Sequence, residues 1–377
     1  MKKIKKSFGK ENRNRFSVNG KTGNMRVRAV LLAVAVLLGM FFFMSRRHSD
    51  STSAGIETRS WEAMGTIVSL SLCEADQNRK EALFKQAIHR VDDIEKILSS
   101  YIPTSELSRL NGLPVGEKMH VSRELRDAVS AGKSWYGKTG GAFDITIDPL
   151  IRLWKKAGEI QKVPTETELK AVRDEMGVDK LVLCKDDLVI MKKAAVEINA
   201  GGLGKGFTAD DIACLLQKCG VTSALIAMAG DVHVLGFRPD GRLWHVGVQD
   251  PRYPDNPDAV VTAVQLSDMA ISTSGNYRRF VTIAGKQYSH IIDPRTGHTA
   301  ENAPSVTVIG PNTLTTDILG TALSVLGVEE GLKLVESMNG IEALFITVDA
   351  SDKLTLTRSR GFSGYENPAG VKEKISN

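Results

Sequence analysis

The chain has 377 residues, of which 42% are hydrophobic and 25% charged, enough to bury one or two hydrophobic cores. Only 6% are aromatic and there are 12 prolines, a composition that excludes collagen-like repeats and disorder throughout. The net charge of +5 comes from the N-terminus, because residues 1–50 hold 12 Lys and Arg against two acids and the other 327 residues carry a net −5. The folded part therefore has no general attraction for nucleic acid, and we exclude a nucleic-acid partner.

The first 50 residues join a basic segment to an apolar one. Residues 1–28 contain ten Lys and Arg, and Ala29 to Met44 then run for 16 residues without a charge. At about 1.5 Å per residue this stretch spans roughly 24 Å as a helix, slightly less than the ~30 Å hydrocarbon core of a bilayer. Arg46 and Arg47 can reach the interface. The charge asymmetry places the N-terminus in the cytoplasm and residues 48–377 outside it.

A cleaved signal peptide is the alternative interpretation of the apolar segment. No small-x-small cleavage site follows it, and no cysteine near it could accept a lipid. We therefore favour an uncleaved, single-pass signal anchor at residues 29–45 in the inner (cytoplasmic) membrane, with the remainder of the chain in the periplasm.

The four cysteines have neither the spacing of a metal site nor that of a disulfide framework. They are Cys73, Cys184, Cys214 and Cys219. The last two fall five residues apart on a predicted helix, which favours packed thiols. A disulfide among the four stays open, because the sequence does not select a pair.

Hydrophobic periodicity predicts a mixture of strands and helices after a Ser/Thr/Gly-rich linker. Strands are predicted at 67–72, 180–183, 188–191, 224–228, 244–248, 260–266, 305–309 and 343–348. Helices are predicted at 80–99, 122–135, 165–176, 207–218, 315–326 and 329–337. The order lacks a strict βαβ rhythm, so the predicted fold class is α+β, as one large unit or two lobes.

Four glycines fall within six residues in the segment Asn199–Gly206, directly ahead of a predicted helix. Such glycines let the backbone approach a ligand closely, N–H groups at the helix start suit an anion, and Lys205 adds a positive charge. The spacing does not match the GxxxxGK[ST] phosphate loop. A flexible strand-to-helix turn explains the pattern equally well.

His290 lies in the segment Ser289–Gly297, directly before two isoleucines, and the segment ends in an ordinary turn composition. A lone histidine in such a place is most simply a hydrogen-bonded structural residue. The functional interpretation is a base that titrates near neutral pH.

Asp317 and Thr321 are four residues apart at the start of a predicted helix, so their oxygens lie on one face. A carboxylate and a hydroxyl, completed by backbone carbonyls and phosphate oxygens, suit a hard cation such as Mg²⁺. Helix capping explains the same residues if they are taken alone. The glycines of Gly140–Leu150, which lead into Phe143 and Asp144, are most simply the entry to a strand.

These segments, taken together and in this order, resemble the ApbE family of flavin transferases, which move FMN from FAD onto a protein threonine. The resemblance covers roughly residues 57–350. It rests on the segments Met64–Thr66, Ser100–Tyr101, Ser105–Asn111, Gly141–Asp144, Gly201–Gly206 with Asp210, Ala229–Asp231, Thr273–Tyr277, Ser289–Gly297 and Thr316–Ala322.

The resemblance implies one large ApbE-like, T-fold-related catalytic domain at residues 57–365. Residues 1–28 are then a cytoplasmic tail, 46–56 a linker after the anchor, and 366–377 a flexible C-terminal tail.

The resemblance also implies the residues of the site. The FAD pocket would be lined by Met64, Tyr101, Ala142, Phe143, Asp144, Asn199, Lys205 and Ile291. The cofactor Mg²⁺ would be held by Gly202, Asp317, Gly320 and Thr321. His290 would be the catalytic base that takes the proton of the acceptor hydroxyl.

The implied activity is that of an FAD:protein FMN transferase, with FAD as substrate, AMP as leaving group, and a partner flavoprotein that carries an acceptor Thr or Ser in a short motif. One alternative is an FAD pyrophosphatase, in which water is the acceptor. Another is a non-catalytic flavin-binding protein, although pure binding does not require the base His290.

Two positions depart from the family pattern. The family usually has Asp where this chain has Asn199, and commonly Ala where it has Gly204. An asparagine keeps hydrogen-bonding groups but loses the negative charge, so we expect a weaker or rearranged contact there.

Overall fold

The computed structural model describes residues 55–184, 188–276, 279–301, 303 and 305–367. The predicted cytoplasmic tail, the anchor, nearly all of the linker, and the C-terminal tail beyond Asn367 lie outside these ranges. Within them no helix is long and apolar enough to cross a membrane. The described residues belong to a single unit.

Fifteen strands lie within the described residues. In chain order they are β1 (Ile56–Ala63), β2 (Thr66–Cys73), β3 (Lys118–His120), β4 (Leu181–Leu183), β5 (Val189–Lys192), β6 (Ala224–Met228), β7 (Asp231–Leu235), β8 (Trp244–Gln249), β9 (Val260–Leu266), β10 (Met269–Gly275), β11 (Phe280–Ile283), β12 (Lys286–Ser289), β13 (Ser305–Gly310), β14 (Glu342–Val348) and β15 (Leu354–Arg358).

Seven α-helices lie within the same ranges. They are α1 (Gln77–Leu98), α2 (Glu106–Asn111), α3 (Arg123–Lys138), α4 (Asp148–Ile160), α5 (Glu166–Glu175), α6 (Gly204–Lys218) and α7 (Thr313–Glu336).

An eight-stranded sheet in the order β1-β2-β6-β7-β10-β13-β14-β15 forms the centre of the fold. Each of its strand pairs is antiparallel. The sheets β3-β5-β4, β8-β9 and β11-β12 are smaller. Antiparallel strands with helices packed on them make an α+β domain, so the predicted fold class is confirmed.

The hydrophobic core divides around the central sheet. The first part of α7 buries Ile318, Leu319 and Leu323 in the largest cluster, together with Val306 and Val308 of β13. Helices α1 and α6 bury a second set against β2 and β6. Helices α6 and α7 thus lie side by side on the sheet, and the loops at their N-termini are brought together.

Most of the predicted elements match the structure within a few residues. The two helices predicted at 315–326 and 329–337 form one element, α7, with a break at Gly327, whose φ is +74°. The strand entry predicted in Gly140–Leu150 is wrong, because Asp148 begins helix α4 with Pro149 in its first turn, a position that proline favours. All four cysteines are free, and Cys214 is exposed, so the prediction of a packed thiol is wrong for that residue.

The N-terminus of α7 is fixed by a carboxylate of α6. Asp210 accepts hydrogen bonds from the backbone N–H groups of Thr313 (2.7 Å) and Leu314 (2.8 Å), and Asn312 accepts from Thr315 N–H at 2.9 Å. These three N–H groups have no partner within the helix, and an anion at this end also interacts favourably with the helix dipole. The contact sets the register between α6 and α7.

Helix α5 has a reciprocal cap that offers a stability test. The Thr165 hydroxyl accepts from Glu168 N–H at 3.3 Å, and the Glu168 carboxylate accepts from Thr165 N–H at 2.8 Å. We expect Thr165→Ala to lower the free energy of unfolding by about 1 kcal/mol, measured by urea denaturation. Thr167→Ala, in the same helix and exposed, is the matched control and should not destabilise, because alanine is the better helix former.

Candidate active site

Gly206, in the first turn of α6, is tied to α7. The N–H groups of a first turn have no partner within the helix, and that of Gly206 donates to Asp317 Oδ2 at 2.9 Å. A side chain at Gly206 would collide with α7, since a Cβ there would lie 2.5 Å from the Thr313 carbonyl oxygen. The glycine therefore permits the close approach of α6 to α7 that this bond needs.

Lys205 lies between two carboxylates from different parts of the fold. Its Nζ is 2.9 Å from Asp231 Oδ2, at the start of β7, and 3.4 Å from each oxygen of Asp317 on α7. Both aspartates are buried. One ammonium therefore faces two carboxylates in a region with little water, and the cluster carries one excess negative charge.

The pKa values of the cluster reflect this excess. Burial and the charge of Asp231 raise the pKa of Asp317, against smaller opposite effects of Lys205 and Gly206 N–H. Burial alone would lower the pKa of Lys205, but the charges and hydrogen bonds of the two aspartates outweigh it and raise the pKa. A carboxylate that is costly to ionise in place is one that a further cation would stabilise.

Hard oxygen donors converge beside this cluster. A Cβ at Gly202 would lie 3.4 Å from Thr321 Oγ1, so the loop lies close to the third turn of α7. Among the described residues, no hydrogen-bond donor is recorded for the carbonyl of Gly202, and none for Thr321 Oγ1. A carboxylate, a hydroxyl and a free carbonyl form the donor set that Mg²⁺ prefers, so the residues present fit a divalent cation.

Gly320, the fourth predicted metal ligand, has a different environment. Its carbonyl accepts from Ser324 Oγ at 2.8 Å, and a Cβ at this position would lie 2.7 Å from Ser274 Oγ. The residue serves close packing of α7 on β10, and its carbonyl is already engaged. We leave it out of the ligand set proposed below.

His290 directly follows β12, and one of its ring nitrogens is hydrogen-bonded. Its Nδ1 is 2.9 Å from the carbonyl oxygen of Arg279. A carbonyl only accepts, so Nδ1 carries the hydrogen and Nε2 of the neutral ring is left as a proton acceptor. The residue is solvent-exposed, yet neighbouring protein atoms take part of its hydration shell. This desolvation and the charges of Arg279 and Lys205 hold the pKa of His290 below its ordinary value, partly offset by the Arg279 carbonyl.

Four of the predicted flavin-lining residues lie around the glycine segment. The Met64 methyl is 3.6 Å from the place of a Cβ at Gly204, and the Phe143 ring is 3.0 Å from that at Gly202. Ala142, Phe143 and Ile291 belong to one buried cluster with Leu203. The structure thus brings apolar groups next to the glycine segment that leads into Lys205.

Two predicted flavin-lining residues are placed differently. Tyr101 is 88% exposed, and its backbone N–H donates to Ser99 Oγ. Asp144 points into the protein, where Oδ1 accepts from Thr146 N–H (2.7 Å) and Thr146 Oγ1 (2.6 Å). Burial raises the pKa of Asp144, against the lowering effect of these hydrogen bonds. The side chain of Asp144 serves this turn, and both flavin assignments stay predictions.

Asn199 is buried and uses both ends of its amide. Its oxygen accepts from Gly201 N–H at 2.7 Å, and its Nδ2 donates to Asp148 Oδ1 at 2.7 Å. Asp148 was not predicted from the sequence as a residue of the site.

Asp231 is the residue of the ion cluster that sequence reasoning left out. The Ala229–Asp231 segment was recognised as a motif, but nothing in it indicated a contact with Lys205, 26 positions earlier. Only the structure shows that Asp231 is buried at the start of β7, two residues after Ala229, whose φ is +54°.

A separate cavity of about 300 Å³ lies beside the capped end of α7, lined by Asp210, Cys214, His233 and Asn312 among others. Its acids are already satisfied. Asp210 binds the α7 backbone and lies 2.9 Å from His233 Nδ1, and Asp268 accepts from Gly236 N–H at 2.8 Å. The candidate active site is therefore the cluster of Lys205, Asp231 and Asp317, rather than this cavity.

Comparison with known proteins agrees with this architecture. The model of the ApbE family matches residues 64–345. The chain is 30% identical over 324 residues to the FAD:protein FMN transferase of Escherichia coli strain K12, covering 83% of this chain and 92% of the relative.

Solved structures give the same result. The flavinyl transferase ApbE of Pseudomonas stutzeri matches with a TM-score of 0.73 and 31% identity, covering 82% of this chain and 96% of that one. The flavin transferase ApbE of Vibrio cholerae matches with a TM-score of 0.71 and 29% identity, covering 82% and 99%. The predicted family is confirmed, and the predicted enzyme class is that of the relatives: the chain belongs to the ApbE family.

Proposed function

We propose that this protein is an FAD:protein FMN transferase, the activity for which its curated relatives are named. The observation that carries the proposal is the cluster of Lys205, Asp231 and Asp317, with the free Gly202 carbonyl and Thr321 hydroxyl beside it. Such a site can bind the pyrophosphate of a dinucleotide together with a divalent cation. The apolar residues Met64 and Phe143 next to it suit the flavin portion.

The proposed cation ligands are the Asp317 carboxylate, the Thr321 hydroxyl and the Gly202 carbonyl. When bound, Mg²⁺ would neutralise charge on the pyrophosphate as the phosphorus–oxygen bond breaks. Lys205 supplies a second positive charge, and its ion pair with Asp231 holds the ammonium group in place. A positive group fixed in advance costs no reorganisation during the reaction.

His290 is the proposed general base. A threonine or serine hydroxyl is a weak nucleophile near pH 7, so its proton must be removed as it attacks. The hydroxyl oxygen forms a bond to the FMN phosphorus, its proton passes to His290 Nε2, and AMP leaves with the electron pair of the broken phosphorus–oxygen bond. Before the reaction, the hydrogen bond to the Arg279 carbonyl keeps the ring hydrogen on Nδ1, so that Nε2 is free to accept this proton.

The test is the reaction itself. The full chain, purified in a mild detergent, is mixed with FAD, Mg²⁺ and a candidate flavoprotein, and the intact mass of the flavoprotein is followed. We expect a gain of one FMN on a Thr or Ser, with AMP formed in equal amount and the reaction stopped by EDTA. Free FMN and AMP with unmodified flavoprotein would instead identify a pyrophosphatase, and unchanged FAD a binding protein.

The cellular location is a second part of the proposal. The uncharged run Ala29–Met44 between basic flanks supports a single-pass anchor with the catalytic domain on the periplasmic side. Protease added to intact spheroplasts should then digest the catalytic domain, whereas a cytoplasmic enzyme should resist until the membrane is broken.

A further inference from the structure

A chain of polar contacts ties the glycine segment to the start of helix α4. Asp148, the first residue of α4, accepts from Asn199 Nδ2 through one carboxylate oxygen and pairs with Arg152 through the other. Arg152 also pairs with Glu197, two residues before Asn199. The backbone adds a further link, because Asn199 N–H donates to the Ile145 carbonyl at 2.7 Å.

The contacts of Asn199 permit only one orientation of its amide. Gly201 N–H is a donor, so it must meet the amide oxygen, and the Asp148 carboxylate is an acceptor, so it must meet the NH₂ group. Turning the amide over would place donor against donor and acceptor against acceptor. Since the residue is only 8% exposed, water would not restore the lost bonds.

The bond from Gly201 N–H to Asn199 Oδ1, at 2.7 Å, closes a tight turn directly before Gly202. This type of side-chain turn fixes the direction of the following peptides. The carbonyls that follow along the chain are those of Gly201 and Gly202, and the place of a Cβ at Gly202 is 3.4 Å from Thr321 Oγ1. The orientation of the Asn199 amide therefore influences a group that belongs to the candidate cation site.

We propose that Asp148 is a positioning residue, which holds the Asn199 amide so that the Gly202 carbonyl stays directed at the cation site. The pair needs a hydrogen-bond donor on one side facing an acceptor on the other, and an amide that faces a carboxylate supplies this in either order. Two carboxylates at 148 and 199 would face each other at hydrogen-bond distance with no proton between them. The inference rests on the proposed function, because the cation and FAD are its ligands.

Exchanging the amide and the carboxylate between positions 199 and 148 tests this proposal. We expect Asn199→Asp to weaken Mg²⁺-dependent FAD binding by about tenfold or more, because like charges repel in a buried site. Asp148→Asn should change it by less than about threefold, since an amide oxygen still accepts from Asn199 Nδ2. The double variant, Asn199→Asp with Asp148→Asn, should recover binding to within about threefold of the wild type, because the donor is restored from the other side.

Equilibrium dialysis of FAD with the full chain, with and without Mg²⁺, gives the affinities, and thermal unfolding without FAD gives a second readout. Wild-type affinity in Asn199→Asp, or a double variant no better than that single one, would overturn the inference. Recovery of the melting temperature without any change in FAD affinity would reduce the pair to a purely structural role and would also overturn it. A wild-type protein that binds FAD with Mg²⁺ but transfers no FMN contradicts only the proposed function.

Discussion

Asp317→Asn should reduce the rate of FMN transfer by about 10²–10³ or more, the range found when a charged or polar group that stabilises a transition state is removed. The substitution removes the only negatively charged ligand of the proposed cation site. It keeps an oxygen that can accept from Gly206 N–H, the 2.9 Å bond that joins α6 to α7. We therefore expect the fold to survive. The initial rate of flavoprotein modification, measured against Mg²⁺ concentration, should show that added Mg²⁺ no longer restores activity.

Asp174→Asn is the matched control for the loss of one carboxylate. Asp174 lies on α5, is exposed, and pairs with Lys170 at 2.7 Å. Its replacement should leave the rate and its Mg²⁺ dependence unchanged. If Asp317→Asn kept more than a tenth of the wild-type rate with the same Mg²⁺ dependence, Asp317 would not be a cation ligand.

His290→Ala should lower the transfer rate by about 10²–10⁴, the usual contribution of a general base, while FAD binding stays close to that of the wild type. The reason is that Nε2 is free to receive a proton, whereas His290 is not part of the cluster of Lys205, Asp231 and Asp317 that we propose to bind the pyrophosphate. Stopped reactions analysed by intact mass give the rate, and equilibrium dialysis gives the affinity. His120→Ala, an exposed histidine on β3, is the control and should behave as the wild type.

The pH profile separates a base from a structural histidine. The pKa of His290 is held below its ordinary value, which is about 6.5. At saturating Mg²⁺ the rate should therefore be flat above about pH 6.5 and should fall tenfold per pH unit below the pKa of His290, as the neutral form is lost. His290→Ala should lack this fall. An unchanged acid limb in the variant would assign it to another group.

The sequence by itself determined the family, the α+β class, and the residues that lie close to one another along the chain. Asp317 and Thr321 share a helix face because four residues make about one turn. The glycines of 201–206 predicted a close approach of the backbone to a ligand, and the structure shows that Gly206 lies close against α7. Two helices were predicted at 315–326 and 329–337, and the break at Gly327 lies between them, because hydrophobic periodicity acts locally.

The tertiary structure alone decided which distant groups meet. The order of the strands puts Asp231 of β7 beside Lys205 of α6. The packing of α6 on α7 brings Gly206 N–H to Asp317, 111 positions later, and the start of α4 places Asp148 against Asn199. Periodicity reports which face of an element is buried, not which element covers it. Contacts between elements depend on the sheet order and on the burial of the whole core, so the ion cluster and the Asn199–Asp148 pair could be found only in the folded chain.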